Sequence, residues 1–561
     1  MDSKNVIAAI SLSAAVIILY SLFFAPEPQQ IQKVQQQSNE IVKDSEAPKL
    51  TETQEIKIIS REEAINNSDR IYFENENIIG SISLSNGASI DDYTFKKYNK
   101  KLNSKEKIIL LNPSNIKNGY IFNTGWVSPD KNIGVPSGET KWRVLNNNKL
   151  TPGNPVSLFY ENEEGLRFEK TISLDEKYLF NISQKIINKT DKTFKFYPYA
   201  YLHRNNIPED LTDFYILHEG FVTVTDQELK EIDYDEIDED SFSMKANSGF
   251  LAIGDKYWLT SIIPPNGRSF RIDIDYKKKY RASYIDTEGF ELAANGSIQN
   301  NIKSIIGAKT VRDIDQYALN EKIEKFDLVI NWGILYWLVK PMFFILDYFY
   351  KFSGNYGYAI ILLTILVRII FFPLNQYAFK SMGKMKVLQP EMNRLKELHK
   401  NDKQELQKSL MKLYKSEGIN PASGCFPILV QIPIFFSLYK LLLLDISMRH
   451  APFIWIWKDL AAKDPVTIFN LFGLLPFDPP GFLQIGLLPV LMGITMFLQQ
   501  RLNPSPMTDP IQKKIFTFFP LFITVILAPF AAGLILYWTC TNILTILQQW
   551  IILKKTTVKN K

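Results

Sequence analysis

The apolar residues of this 561-residue chain are concentrated rather than spread. Between residues 325 and 555 long hydrophobic runs broken by prolines dominate, whereas residues 50–320 read as an ordinary soluble domain. Apolar runs near 20 residues match the thickness of a bilayer core, so this part is predicted to be a polytopic α-helical membrane bundle. Five runs, at about 358–374, 422–444, 485–502, 515–529 and 533–553, read as its spans. A further uncharged run of 19 residues at 6–24 reads as an uncleaved signal anchor, because FFAPEP after it is a poor cleavage site.

Residues 1–25 are thus predicted as an N-terminal transmembrane anchor, and the Gln-rich, Pro-containing 26–55 as a disordered tether. From 56 to 325 segments such as KTISL, YLFNISQKII and FKFYPYAYL alternate or cluster β-branched and aromatic residues between turn residues. Many short strands at this spacing predict a large β-sandwich, with helix only around 313–325. The acidic stretch 226–240 carries nine acids against one lysine; it lacks the glycine of a calcium loop and is predicted as a solvated surface loop.

Residues 326–352 are apolar and aromatic but contain Lys340, Pro341 and Asp347, so the segment either spans or lies flat as an amphipathic helix. Charge decides between these. The stretch 380–417 holds ten Lys or Arg and five acids in 38 residues, and short basic loops stay in the cytoplasm. With a cytoplasmic N-terminus, a flat 326–352 helix exports the β domain and leaves both the basic loop and the 556–561 tail inside. A span there would push the basic loop out, so the prediction is one anchor plus a five-helix core over 353–555. Within the loop, apolar residues at helical spacing from Met385 to Leu398 and from Leu406 to Tyr414, parted by Asn401 and Asp402, predict a helical hairpin.

A net charge of +5 is too small to argue for nucleic acid, and both cysteines, Cys425 and Cys540, fall in predicted spans, so the soluble domain cannot be stapled by disulfides. None of the four histidines, His203, His218, His399 and His450, lies in a span, and no HExxH, GxSxG or GxxxxGK occurs. Catalysis, a cofactor and a metal all lack support.

Arg368 sits inside an otherwise apolar run, IILLTILVRIIFFPL at 360–374. An arginine at a helix centre in a membrane costs roughly 2.5–3.5 kcal/mol on insertion scales, so it faces protein, water or headgroups. On a 3.6-residue period it shares a face with Thr364 and Asn375. It precedes Pro373 by five residues, which puts it about 7.5 Å from the cytoplasmic end of its span. Asp445 stands at the opposite end of its own segment, so no acid within a span is placed to pair with it. Either Arg368 snorkels to headgroups, or it stands in a wet cavity.

The last run adds a polar stripe, Trp538, Thr541, Asn542, Thr545 and Gln549, and Gln431 adds an amide from the 422–444 run. Interhelical hydrogen bonding accounts for such residues singly; together with Arg368 they point to a shared hydrophilic cavity. A transporter or channel with an accessory domain is the rival, and it calls for paired intramembrane charges or inverted repeats, which are not apparent.

These runs, VRIIFFPLNQYAFKSMGKMKVLQPEM, GINPASGCFPILVQIPIFFSLYKLL, APFIWIWKDLAAKDP, LLPVLMGITMFLQQ, DPIQKKIFTFFPLFITV and GLILYWTCTNILTILQQW, resemble the YidC membrane-protein insertases over about 328–555. SGFLAIGDKYWLTSIIPPNG extends the resemblance to the exported domain. The resemblance implies a β-supersandwich like that of mutarotase domains, although sugar binding does not follow from fold. It further implies a hydrophilic groove open to the cytoplasm and inner leaflet, with Arg368 as its arginine, Thr364 one turn earlier, and Gln431, Phe435, Tyr537, Trp538 and Asn542 as contact residues. Trp538 departs from the tyrosine many relatives have, and an apolar, Pro-rich insertion lengthens 466–484.

The implied function is insertion, folding and assembly of integral proteins in the bacterial inner membrane, without enzymatic turnover. The implied partners are nascent membrane proteins and lipids, with the Sec translocon, ribosome and signal-recognition components beside them.

Overall fold

The computed structural model describes residues 59–209, 211, 217–400, 402–420, 426–467, 469–471, 475, 480, 484–502 and 510–558. The expected anchor at 1–25, the tether at 26–55, Cys425 and much of the 466–484 insertion lie outside them.

Strict alternation builds the first half of the fold. In the strand Leu166–Leu174 every second residue is buried, so Leu166, Phe168, Ile172 and Leu174 share one face. Among the described residues such strands form an 11-stranded and a 9-stranded sheet, and an apolar core including Phe73, Phe180, Phe196 and Phe250 lies between them. The last strand, Ser297–Ala308, is internal to the smaller sheet, paired antiparallel with Leu179–Asn188 on one side and Trp258–Ile262 on the other.

One inward position breaks the apolar pattern. Lys170 stands opposite Gln184, which stands opposite Asn300, so a buried polar row crosses three strands. The Lys170 ammonium donates to the Thr124 carbonyl at 2.8 Å, the Gly87 carbonyl at 3.2 Å and Asn123 Oδ1 at 3.4 Å, and lies over the Trp142 ring.

Among the described residues three short helices decorate the sandwich: α1 (Arg61–Asn66), α2 (Tyr234–Glu239) and α3 (Val311–Asn320). The acidic stretch is therefore not a loop throughout: it makes the strand Glu228–Ile232 and then α2. Tyr234 and Ile237, three residues apart, give α2 an inward face, and Tyr234 packs edge-on against Phe221 and Tyr280. Helix α3 is tied down where Tyr317 Oη donates to Asp175 Oδ2 at 2.7 Å.

The helix expected from 326 starts ten residues later. Phe326–Val329 forms a 3-10 turn, Trp332 Nε1 donates to the Asp327 carbonyl at 3.0 Å, and Gly333 adopts a left-handed φ of +67°, which ends the approach before α4 (Tyr336–Ser353) begins. Helix α4 is two-faced, with Val339, Met342, Phe343 and Leu346 buried and Trp337, Tyr348 and Phe352 exposed. Lys340 on α4 holds Asp315 of α3 at 3.0 Å and Asp327 at 2.7 Å.

The remaining helices are α5 (Tyr356–Ile370), α6 (Phe372–Val387), α7 (Gln389–Leu398), α8 (Lys403–Ser416), α9 (Phe426–Leu444), α10 (Leu487–Leu502), α11 (Pro510–Leu527) and α12 (Ala532–Val558). Asn355 caps α5, accepting from the Gly357 and Tyr358 amides, and Asp402 caps α8 in the same way. The run expected as one span over 358–374 is bent by 66° between α5 and α6, where Pro373 occupies the first turn of α6. Among the described residues no single helix is long and apolar enough to cross a membrane; the α5–α6 pair passes that test together.

Helix α12 packs against α5, α6, α9 and α10, and α10 packs against α11. A Cβ at Gly493 of α10 would stand 2.2 Å from Thr524 Oγ1 of α11. Gly493→Leu should force these helices apart at a cost of about 1–3 kcal/mol, read as a melting temperature lowered by several degrees in detergent. An unchanged melt would show that the close approach is dispensable.

Candidate functional site

Arg368 lies in the last turn of α5, half-buried beside exposed Ile365, Ile369 and Ile370. Its Nη2 donates to the backbone carbonyl of Thr541 on α12 at 3.3 Å. That carbonyl also accepts the Thr545 hydroxyl at 2.6 Å, so one oxygen serves two donors. Among the described residues no carboxylate forms an ion pair with Arg368, whereas two arginines of the sandwich do find acids: Arg204 has Asp255 at 2.6 Å and Arg268 has Asp286 at 2.5 Å. A charge satisfied only by a peptide dipole is held in place without being neutralised.

Helix α9 brings the next two residues to the same face of α12. Gln431 Nε2 donates to Tyr537 Oη at 2.7 Å, and one turn along, Phe435 meets the Trp538 ring edge-on with centroids 4.8 Å apart. Tyr537 itself is 1% exposed and within electrostatic reach of Arg368. The tryptophan thus needs no hydroxyl for its contact: it supplies an aromatic face.

Two of the sequence-chosen residues are turned elsewhere. Thr364 is buried and its hydroxyl donates to the Ile360 carbonyl of its own helix at 2.7 Å, which leaves no free donor. Asn542 faces the opposite neighbour, donating to Thr495 Oγ1 of α10 at 3.2 Å. Thr541, Asn542, Thr545 and Gln549 are all buried, so most of the polar stripe of α12 serves helix packing, and Arg368, Gln431, Phe435 and Trp538 make up its half-buried margin.

Sequence reasoning missed Thr495, the partner of Asn542, and the aromatic continuation from Phe435 to Tyr439 (6.4 Å) and on to Phe530 (5.3 Å). It also missed Lys440, one residue further on α9, whose ammonium donates to Asn331 Oδ1 at 2.6 Å. A lone cation inside an apolar run was the available signal, the same one that marked Arg368. Among the described residues no group of three His, Cys, Asp or Glu could hold a metal.

Comparison with known proteins identifies the family. Residues 348–560 match a family described as 60Kd inner membrane protein, and residues 70–345 match the YidC periplasmic domain. The membrane protein insertase YidC of Pelagibacter ubique is 56% identical over 559 residues, covering 100% of both chains. That of Brucella suis is 44% identical, covering 89% of this chain and 83% of its own. A crystal structure described as an active YidC insertase with the first transmembrane domain resolved aligns over 88% of this chain and 93% of that one, at 17% identity and a TM-score of 0.37.

Proposed function

The chain belongs to the YidC family of membrane protein insertases, and on that premise we propose that nascent segments enter lipid along the margin formed by Arg368, Gln431, Phe435 and Trp538. The observation that carries this is the unneutralised charge: Arg368 is held by a backbone carbonyl and by no acid among the described residues. An approaching acidic terminus would supply the missing counter-charge, and the exposed isoleucines of α5 lead from that point to lipid. Release is then driven by the passenger's own apolar surface, at roughly 25 cal/mol per Å² buried, with no nucleotide consumed by this chain.

The topology that fits this reading has an anchor and five core spans, with both termini in the cytoplasm and the β-sandwich in the periplasm. Helix α4 lies in the outer interface on its exposed face of Trp337, Tyr348 and Phe352. The bend after Ile370 lets α6 leave the span and carry the basic α7–α8 hairpin to the cytoplasm, where ribosome and signal-recognition components would meet it. The Sec translocon is the expected partner for longer substrates.

Photo-cross-linking tests the path. A photoreactive residue at Gln431 or Trp538 should capture a stalled single-span nascent chain, and one at Leu319, 78% exposed on α3, should not. Equal capture at all three positions would overturn the proposal.

A further inference from the structure

Lys440 is placed where α9 meets the β-sandwich. Its ammonium donates to Asn331 Oδ1 at 2.6 Å, and Asn331 Nδ2 in turn donates to Glu231 Oε1 at 2.6 Å. Glu231 belongs to the strand Glu228–Ile232 at one edge of the nine-stranded sheet. The amide is oriented as electrostatics demands, its oxygen toward the cation and its nitrogen toward the anion, so both links are charge-assisted. The backbone is shaped around the same cation: a Cβ at Gly333 would stand 2.6 Å from Lys440 Nζ, and Gly333 is left-handed as well.

On α9 this anchor adjoins the contacts of the insertion margin. Gln431, Phe435 and Tyr439 recur every four residues and reach Tyr537, Trp538 and Phe530 respectively, and Lys440 follows directly. A helix held along one face alone retains freedom to slide and to rotate about its own axis; a second attachment on a different body removes both.

We infer that Lys440 is a positioning residue for insertion: through Asn331 and Glu231 it fixes α9 against the β-sandwich, so that Gln431 and Phe435 stay in register with Tyr537 and Trp538. The inference rests on the path proposed above and assigns the exported domain a mechanical part in it, as the fixed body from which α9 is held.

The full-length chain, expressed in cells depleted of their own insertase, provides the test. Lys440→Met and Asn331→Ala should each slow insertion of a single-span substrate about tenfold at equal membrane abundance, the equivalent of one charge-assisted hydrogen bond. Glu231→Gln combined with Lys440→Met should be no worse than Lys440→Met alone, because the two charges act through one relay. Hydrogen exchange across 430–440 should rise in each variant.

A Lys440→Cys variant without Cys425 and Cys540 should recover most activity when alkylated with bromoethylamine, which rebuilds the ammonium. Insertion at the normal rate by Lys440→Met, additive losses in the double variant, or no recovery on alkylation would each overturn the inference. If Lys440→Met fails to accumulate, Asn331→Ala and Glu231→Gln read the same relay. Arg368→Ala run in parallel separates the two ideas: a defect there beside normal insertion by Lys440→Met removes only the positioning role, and the reverse removes only the path.

Discussion

Replacing Arg368 with alanine is expected to slow insertion of a single-span substrate with an acidic N-terminus by about ten- to a hundredfold, the equivalent of roughly 1.5–3 kcal/mol for one charge-assisted contact. The size follows from how the arginine is held. Its partner is the Thr541 carbonyl, which anchors the guanidinium and leaves its charge available to a passenger. Lysine at 368 keeps the charge but lacks the planar fork of the guanidinium, so it should recover part of the loss. A substrate with an uncharged N-terminus should be nearly indifferent to all three residues. Protease protection of the translocated terminus, after depletion and complementation, reads each of these. Full insertion by the alanine variant would remove the charge from the mechanism, and equal losses for acidic and uncharged substrates would show that the arginine acts on the fold instead.

The second large effect concerns stability. Burial holds the Lys170 ammonium down to about 7, from an ordinary value of 10.5. Between those values the unfolded chain binds this proton and the folded domain does not, so the domain gains stability as pH rises from 7 toward 10, at about 1.4 kcal/mol per unit. Below about 7 both states bind the proton and the folded domain carries the whole cost of a buried cation.

Lys170→Met should therefore flatten the profile above pH 7 and stabilise the sandwich near neutrality by about 1–4 kcal/mol, as for other buried charges replaced by apolar groups of similar size. The freed acceptors, the carbonyls of Thr124 and Gly87, set the lower end of that range. Hydrogen exchange in the strands Leu166–Leu174 and Leu179–Asn188 of the full chain at pH 7 and 9, corrected for intrinsic rates, provides the measurement. A wild-type domain equally protected at both values would contradict the assignment.

Much of this was legible in residue order. The alternation of Leu166–Leu174 announces a strand with one inward face, and Arg368 announces itself because a charge in an apolar run must be accounted for. Other features were not legible, for identifiable reasons. The Thr541 acceptor is a backbone atom, which every residue carries, so no side chain could flag it. Pro373 marks a break in the 358–374 run, but hydropathy sums across it, and the 66° angle is set by φ and ψ. Acidity masked the two inward residues of α2, Tyr234 and Ile237. Lys440 and Asn331 are separated by 109 residues and belong to different bodies, and pattern reasoning on local segments does not reach such pairs. The sharing of polar residues between packing and margin on α12 is a matter of which neighbour each one faces, which periodicity places on a surface but does not assign.

The placement of the last strand has a consequence for biogenesis. Ser297–Ala308 completes the nine-stranded sheet from within, and its register partners precede it by as many as 126 residues, as at Leu179 opposite Ile305; hence the sandwich cannot close until residue 308 has left the ribosome and reached its compartment. Until then Leu179–Asn188 and Trp258–Ile262 each present an open edge, the kind of surface that pairs with wrong partners. The α5–α12 helices emerge only afterwards. A newly made copy therefore finishes its β-sandwich first and then has a folded platform against which the helices assemble.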